Sequence, residues 1–147
     1  MRALLDINML IALFDEDHIH HLTARDWLLA NAEHGWASCP ITENGFVRIL
    51  SQPAYPGSVS VGAAMELLAG ARVSPTHEFW PADISVLDAV TRTRVHGPRQ
   101  LTDLYLLALA VHHRGRFVTL DARIPPDAVP GATTDDLVVL GRGTPSR

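Results

Sequence analysis

Apolar and polar positions follow two alternating regimes along this chain. Short continuous apolar runs at Ala3–Ile7, Trp36–Cys39, Phe117–Leu120 and Leu137–Leu140 read as strands buried on both faces. His77–Trp80 is a weaker extended piece of the same kind. Longer segments with helical spacing lie between them. These are Met9–Phe14, His20–Ala32, Glu43–Leu50, Val59–Ala71, Ser85–Arg92 and Arg99–Arg114. In the last, Leu104, Leu107, Ala108 and Val111 recur at i, i+3, i+4 and i+7, one face of a helix. Leu22, Trp27, Leu28 and Ala32 give His20–Ala32 a rougher stripe. Asn8 is placed to cap the first helix. Gly35, the Pro- and Gly-bearing stretch Gln52–Ser58, His96-Gly97-Pro98 and Gly115 break the pattern.

Strands that alternate with helices predict a parallel sheet covered on both faces, an α/β class. The chain has 147 residues. A chain of that size forms one domain and buries roughly 70% of its unfolded surface. The expected domain spans 1–141, with a flexible tail at 142–147. The longest apolar runs, such as Met9–Phe14 and Leu104–Val111, fall far short of the ~20 residues of a membrane span. Met1–Phe14 does not read as a signal peptide, because Asp6 and Asn8 interrupt its apolar stretch. The expectation is a soluble, cytoplasmic protein.

Composition then narrows the chemistry. All 12 basic residues are Arg, and there is no Lys. That removes the Walker A loop, the protein kinases, Schiff-base catalysis and the phosphorylated receivers that an α/β pattern invites. The single Cys39 excludes an internal disulfide and a cysteine zinc cage, and reads as an inert core residue. Net charge is −4 with the eight His neutral, so contact with nucleic acid would have to be local. Arg92, Arg94 and Arg99 supply one such local concentration, with Arg114, Arg116 and Arg123 following.

Ligands of parallel α/β sheets sit beyond the carboxyl ends of the strands. Four acids fall there. Asp6 follows the first strand, Glu43 opens the helix after the second, Asp103 is near the start of the long helix, and Asp121 follows a later strand. Any one of them has an ordinary reading as a helix-start or turn acid. Four at one edge would raise one another's pKa unless a cation joined them. An all-oxygen cluster suits Mg²⁺ or Mn²⁺ rather than zinc, and an ion of that kind serves phosphodiester hydrolysis.

The order of these motifs carries a resemblance. Asp6-x-Asn8-x-Leu10-Ile11-Ala12-Leu13 is followed by Thr42-Glu43-Asn44-Gly45-Phe46-Val47-Arg48. Then come Leu101-Thr102-Asp103-Leu104-Tyr105-Leu106-Leu107-Ala108 and Val118-Thr119-Leu120-Asp121. The set resembles the PIN-domain ribonucleases, and more closely the VapC toxins of bacterial toxin–antitoxin pairs, over nearly the whole span from Asp6 to Asp121. The resemblance implies a PIN-like three-layer fold, a Mg²⁺-dependent endoribonuclease with Mn²⁺ as substitute, a homodimer, and a VapB-type antitoxin that silences it. It makes Asp6 and Asp103 the primary metal ligands. Glu43 and Asp121 complete the acidic pocket, Thr119 matches a hydroxyl position beside it, and Asn8 has a supporting place. The segments Ile11–Phe14 and Phe46–Leu50 are expected as walls of an apolar groove for the antitoxin.

Other signals have plainer readings. His18, His20 and His21 read as a polar helix start, with zinc or nickel binding as the alternative. His112-His113 reads as a helix end that answers the dipole. Arg92, Arg94 and Arg99 suit RNA phosphates or simply a solvated stretch. Trp27, Trp36 and Trp80, with Met9 and Met65, read as core. Two rivals stand beside the nuclease. An aspartyl-phosphate hydrolase of the haloacid dehalogenase type wants an Asp where Asn8 stands and a Lys that is absent. An RNA-binding domain that kept the fold without activity would have lost acids, whereas all four are present.

Overall fold

The computed structural model describes residues 1–141; the tail expected at 142–147 lies outside them. Five strands form one sheet: β1 (Ala3–Leu5), β2 (Trp36–Ser38), β3 (His77–Phe79), β4 (Arg116–Thr119) and β5 (Leu137–Val139). Their order is β3-β2-β1-β4-β5 and every pairing is parallel. In the central register Leu4 lies opposite Ala37 on one side and Phe117 on the other. Six helices connect the strands: α1 (Ile7–Phe14), α2 (His21–Ala30), α3 (Pro40–Leu50), α4 (Val61–Arg72), α5 (Val86–Ala89) and α6 (Leu101–His112). No helix among the described residues is long and apolar enough to cross a membrane.

The two-residue period of β1 divides the core into two layers. Leu4 points to a cluster built with Ala37, Phe117 and the buried run Leu104–Ala110 of α6. Ala3 and Leu5 point the other way, to Met9, Leu10, Phe46, Leu50, Ala64 and Leu68 from α1, α3 and α4. Helices therefore cover both faces, as a short all-apolar strand requires. The three-layer architecture agrees with the expected fold class. Trp36 and Trp80 are buried core residues, and so is Cys39.

The differences from the sequence reading have local causes. Asp6, not Asn8, caps α1. Its backbone is extended (φ −64°, ψ 162°) and its carboxylate accepts from the Ile7 N–H, so the strand stops at Leu5 and the helix starts two residues earlier. α3 begins at Pro40, which supplies a preset φ at a position that needs no N–H. The expected long helix Arg99–Arg114 is shortened to α6. A 3₁₀ turn, Pro98–Gln100, precedes it, and Arg114 (φ 61°) leaves the helical region after it. Gly115 then passes so close to the Arg2 carbonyl and the Trp80 ring that a Cβ would collide with both. Met65 was expected in the core and is 56% exposed. α4 buries Ala64 and Leu68, and Met65 is rotated about 100° away from that stripe. Leu22 is likewise exposed, because α2 turns Ala24 inward instead.

Candidate active site

The centre of the sheet delivers the first acid. Asp6 is buried at the junction of β1 and α1, and its N–H donates to the Val118 carbonyl of neighbouring β4. One carboxylate oxygen accepts from the Ile7 N–H at 2.8 Å, and the other from the Thr119 hydroxyl at 2.6 Å. Thr119 ends β4 and is fully buried. Its oxygen also accepts from the Asp121 N–H at 3.1 Å, so one hydroxyl ties two acidic positions together. Asp121 accepts from the Arg123 N–H at 2.9 Å and faces the exposed Arg123 guanidinium at 3.5 Å. Asn8, in α1, accepts a long bond of 3.4 Å from the Leu120 N–H and so joins the same loop.

Asp103 stands in the first turn of α6 and completes this group. Loss of hydration, then the nearby Asp6 and Asp121 carboxylates, push its pKa up to about 7. Burial also raises Asp6; the bonds from Thr119 and Ile7 oppose that, and Asp121 adds to it. No basic side chain contributes to either shift. Asp6, Asp103 and Asp121 thus sense one another across a rim whose central negative charge is uncompensated.

Glu43 is at the same edge but turned to different partners. Its carboxylate accepts from the Ser38 hydroxyl at 2.6 Å and faces Arg72 of α4 at 3.4 Å. The Ser38 oxygen also lies 2.8 Å from His77 Nε2. The arrangement that satisfies all three has His77 donating to Ser38 and Ser38 donating to Glu43. Burial holds the His77 pKa down, and Arg72 adds to that. The structure therefore brings three of the four acids together and holds Glu43 in a Ser38–His77–Arg72 network. Sequence reasoning missed those three residues. Ser38 could have been noticed, since it ends its strand with a hydroxyl as Thr119 does.

Arg92, Arg94 and Arg99 lie in exposed 3₁₀ turns just before α6. Arg94 is held by Asp127 at 2.7 Å. The His18–His21 group is used locally. His18 Nδ1 accepts from the His20 N–H, and His21 Nδ1 contacts the Ala12 carbonyl at 2.7 Å.

The rim fits a hard divalent cation. Its donors are all oxygen, and buried Asp6 and half-buried Asp103 have no compensating cation. The oxygens of the rim do not all lie within 4.8 Å of one another. Asp6 and Asp103 would hold such an ion, with Asp121 beside them.

The family model for the PIN domain matches residues 3–126. Ribonuclease VapC44 of Mycobacterium tuberculosis is 56% identical over 142 residues, covering 95% of this chain and 100% of that protein. Ribonuclease VapC38 of the same species is 43% identical over 123 residues, covering 83% of this chain and 86% of its own. Among solved structures, VapBC2 from Rickettsia felis, bound to a promoter DNA fragment, superposes with a TM-score of 0.63 at 14% identity. It covers 95% of this chain and 97% of that one. Mycobacterium tuberculosis VapC20, a sarcin–ricin-loop-cleaving toxin, gives 0.57 at 13% identity, over 76% and 83% of the two chains. At such identities the two structures speak for the fold.

Proposed function

The chain belongs to the PIN-domain family, in its VapC branch, and on that premise we propose that it is a metal-dependent endoribonuclease acting as the toxin of a toxin–antitoxin pair. The observation that carries the reading is the Asp6–Asp103 pair at the carboxyl end of the sheet, which no basic side chain compensates, with Asp121 beside it. A bound Mg²⁺ or Mn²⁺ would supply Lewis-acid activation of water and of the scissile phosphate. The protein's own part is positional. Thr119 opposes the effect of burial on the Asp6 carboxyl and fixes its direction, and the first turn of α6 presents Asp103 at the same edge. Asp121, steadied by the Arg123 N–H, closes the third side. Glu43 completes the acidic set once its carboxylate leaves Arg72. Arg92 and Arg99 are exposed in the turns before α6, and their planar guanidinium groups suit RNA phosphates.

The partner is a VapB-type antitoxin. An apolar hollow of about 350 Å³ lies between α1, α2 and β2, lined by Leu10, Leu13, Phe14, Leu28, Leu29 and Trp36, and offers such a chain an anchorage. From the segment Ile11–Phe14, Leu13 and Phe14 line that hollow. Phe46 and Leu50 do not, because both are consumed by the core. The working form is a cytoplasmic homodimer.

The test is cleavage of RNA by purified chain with Mg²⁺ or Mn²⁺, against the same mixture in excess EDTA. Cleavage should require the ion and vanish in Asp6→Asn. Undiminished cleavage in EDTA would end the metal-dependent reading. RNA binding without cleavage under any ion would favour an inactive binding domain. Expression of the chain alone should arrest bacterial growth, and Asp103→Asn should relieve it.

A further inference from the structure

At the other end of α6 a second group of metal-binding side chains meets. Asp83 Oδ1 lies 3.4 Å from His112 Nε2 and 3.2 Å from His113 Nε2. Among the described residues, these three are the group of His, Cys or acidic side chains whose ligand atoms all fall within 4.8 Å of one another. The Pro81 carbonyl oxygen is a fourth donor atom nearby, 3.3 Å from His113 Nε2. Nine residues of helix separate His112 from Asp103, about 14 Å along the axis. The group is therefore distinct from the carboxylate rim.

We propose that Asp83, His112 and His113 form a binding site for a divalent transition-metal ion of the zinc class, which pins the segment after β3 to the end of α6. The His113–Asp83 contact is also within hydrogen-bond reach at 3.2 Å, and both spacings equally suit ligands gathered around one ion. A charge-assisted N–H···O bond is about 2.7–2.9 Å long. Arg94 and Asp127, for comparison, meet at 2.7 Å. The two His–Asp distances are several tenths of an ångström longer. Zinc binds nitrogen at about 2.0–2.1 Å and carboxylate oxygen at about 2.0–2.2 Å, so two ligands at a tetrahedral angle stand roughly 3.3–3.5 Å apart. The observed 3.4 and 3.2 Å lie close to that edge.

The surroundings favour it too. His113 is stacked on the buried Trp80, with ring centroids 4.7 Å apart and planes within 12°, which fixes one ligand before any ion arrives. The His112 and His113 rings stand at 86°, so consecutive residues approach Asp83 from different sides. His112 ends a twelve-residue helix and His113 caps it, where the dipole favours a cation. Two imidazoles and one carboxylate select zinc, nickel or cobalt over Mg²⁺, while the all-oxygen rim does the reverse.

The test uses the full chain without a histidine tag, stripped with EDTA and returned to buffer with millimolar Mg²⁺ to occupy the rim. Calorimetric titration with Zn²⁺ should show one ion per chain. Asp83→Asn and His112→Gln alter exposed side chains, and each should weaken binding by at least about tenfold, since even an indirect partner of a metal ligand is worth that much. Asp103→Asn should bind Zn²⁺ as the unaltered chain does, and so should His20→Gln. With Co²⁺ as probe, the visible absorption of a low-symmetry nitrogen–oxygen site should appear and be lost in His112→Gln. Failure of the unaltered chain to take up Zn²⁺ in Mg²⁺ would overturn the proposal. So would normal uptake by Asp83→Asn and His112→Gln, or loss of uptake in Asp103→Asn, which would place the ion at the rim. None of these readouts depends on RNA cleavage, so the site stands or falls apart from the nuclease assignment.

Discussion

Asp103→Asn should make the metal-free protein more stable at alkaline pH while removing its activity. The carboxyl pKa rises from 3.8 to about 7 in the folded chain, first through lost hydration and then through Asp6 and Asp121. The folded state therefore holds this proton more tightly than the unfolded state. Stability contributed by the neutral acid is present at low pH and is lost as pH climbs from about 4 through 7, after which the cost is complete. Asp103 is only partly buried, and solvent screens its repulsions, so the full shift overstates the energy. A discounted cost of about 1–2 kcal/mol is the expectation. For a chain of this length that corresponds to roughly 2–8 °C in Tm. Asn keeps the shape, cannot ionise and gives up no side-chain hydrogen bond recorded among the described residues. Thermal unfolding in EDTA should place the variant above the unaltered chain by that margin at about pH 8, with the gap closing near pH 4. A variant equal to or below the unaltered chain at pH 8 would refute the claim that the fold strains against this carboxylate.

Three further outcomes follow from the same geometry. Millimolar Mg²⁺ should raise the Tm of the unaltered chain at neutral pH and leave the Asp6→Asn, Asp103→Asn double variant unmoved, because only the folded rim gathers these acids. Thr119→Val should cost about 1–3 kcal/mol in urea titrations, since it strips a donor from buried Asp6 and an acceptor from the Asp121 N–H. The acid limb of its pH–activity profile should also move upward, because Asp6 would hold its proton more tightly without that bond. Gly115→Ala should cost about 1–3 kcal/mol by overpacking against the Arg2 carbonyl and Trp80, with metal uptake at the rim preserved.

Much of the architecture was legible because short apolar runs and longer amphipathic ones leave few ways to assemble. Ala3–Leu5 is apolar at every position, and only a strand covered on both faces accommodates that. The helix starts were harder. An acid at a strand end looks the same whether or not it also caps the next helix, and Asp6 does both. Met65 was misread because hydrophobicity alone does not reveal which of two neighbouring apolar residues a helix turns inward. At the site, sequence order brought four acids to one edge, but it carried no information on side-chain pairing. The Glu43 network draws on Ser38, His77 and Arg72, from β2, β3 and the end of α4, and only the folded sheet brings those together. His112-His113 was read against its own helix, whereas the third member, Asp83, approaches from a segment about 30 residues away.

Two strand-end hydroxyls give the edge of the sheet its logic. Thr119 and Ser38 are both fully buried, and each donates to one carboxylate at 2.6 Å. The difference lies in what stands behind the acid. Glu43 faces the Arg72 guanidinium, which also lies 4.8 Å from the centre of the Phe79 ring, so its charge is met from within the chain. Asp6 has only neutral donors while Asp103 and Asp121 press on it, so its charge awaits something from outside. A cation bound at this edge would be held by Asp6 and Asp103. The Arg72–Glu43 contact is long, at 3.4 Å, and its guanidinium is 42% exposed. A pair that open contributes about 0–1 kcal/mol. Glu43 would exchange Arg72 for a bound ion at little cost, and so would complete the rim when an ion is held there.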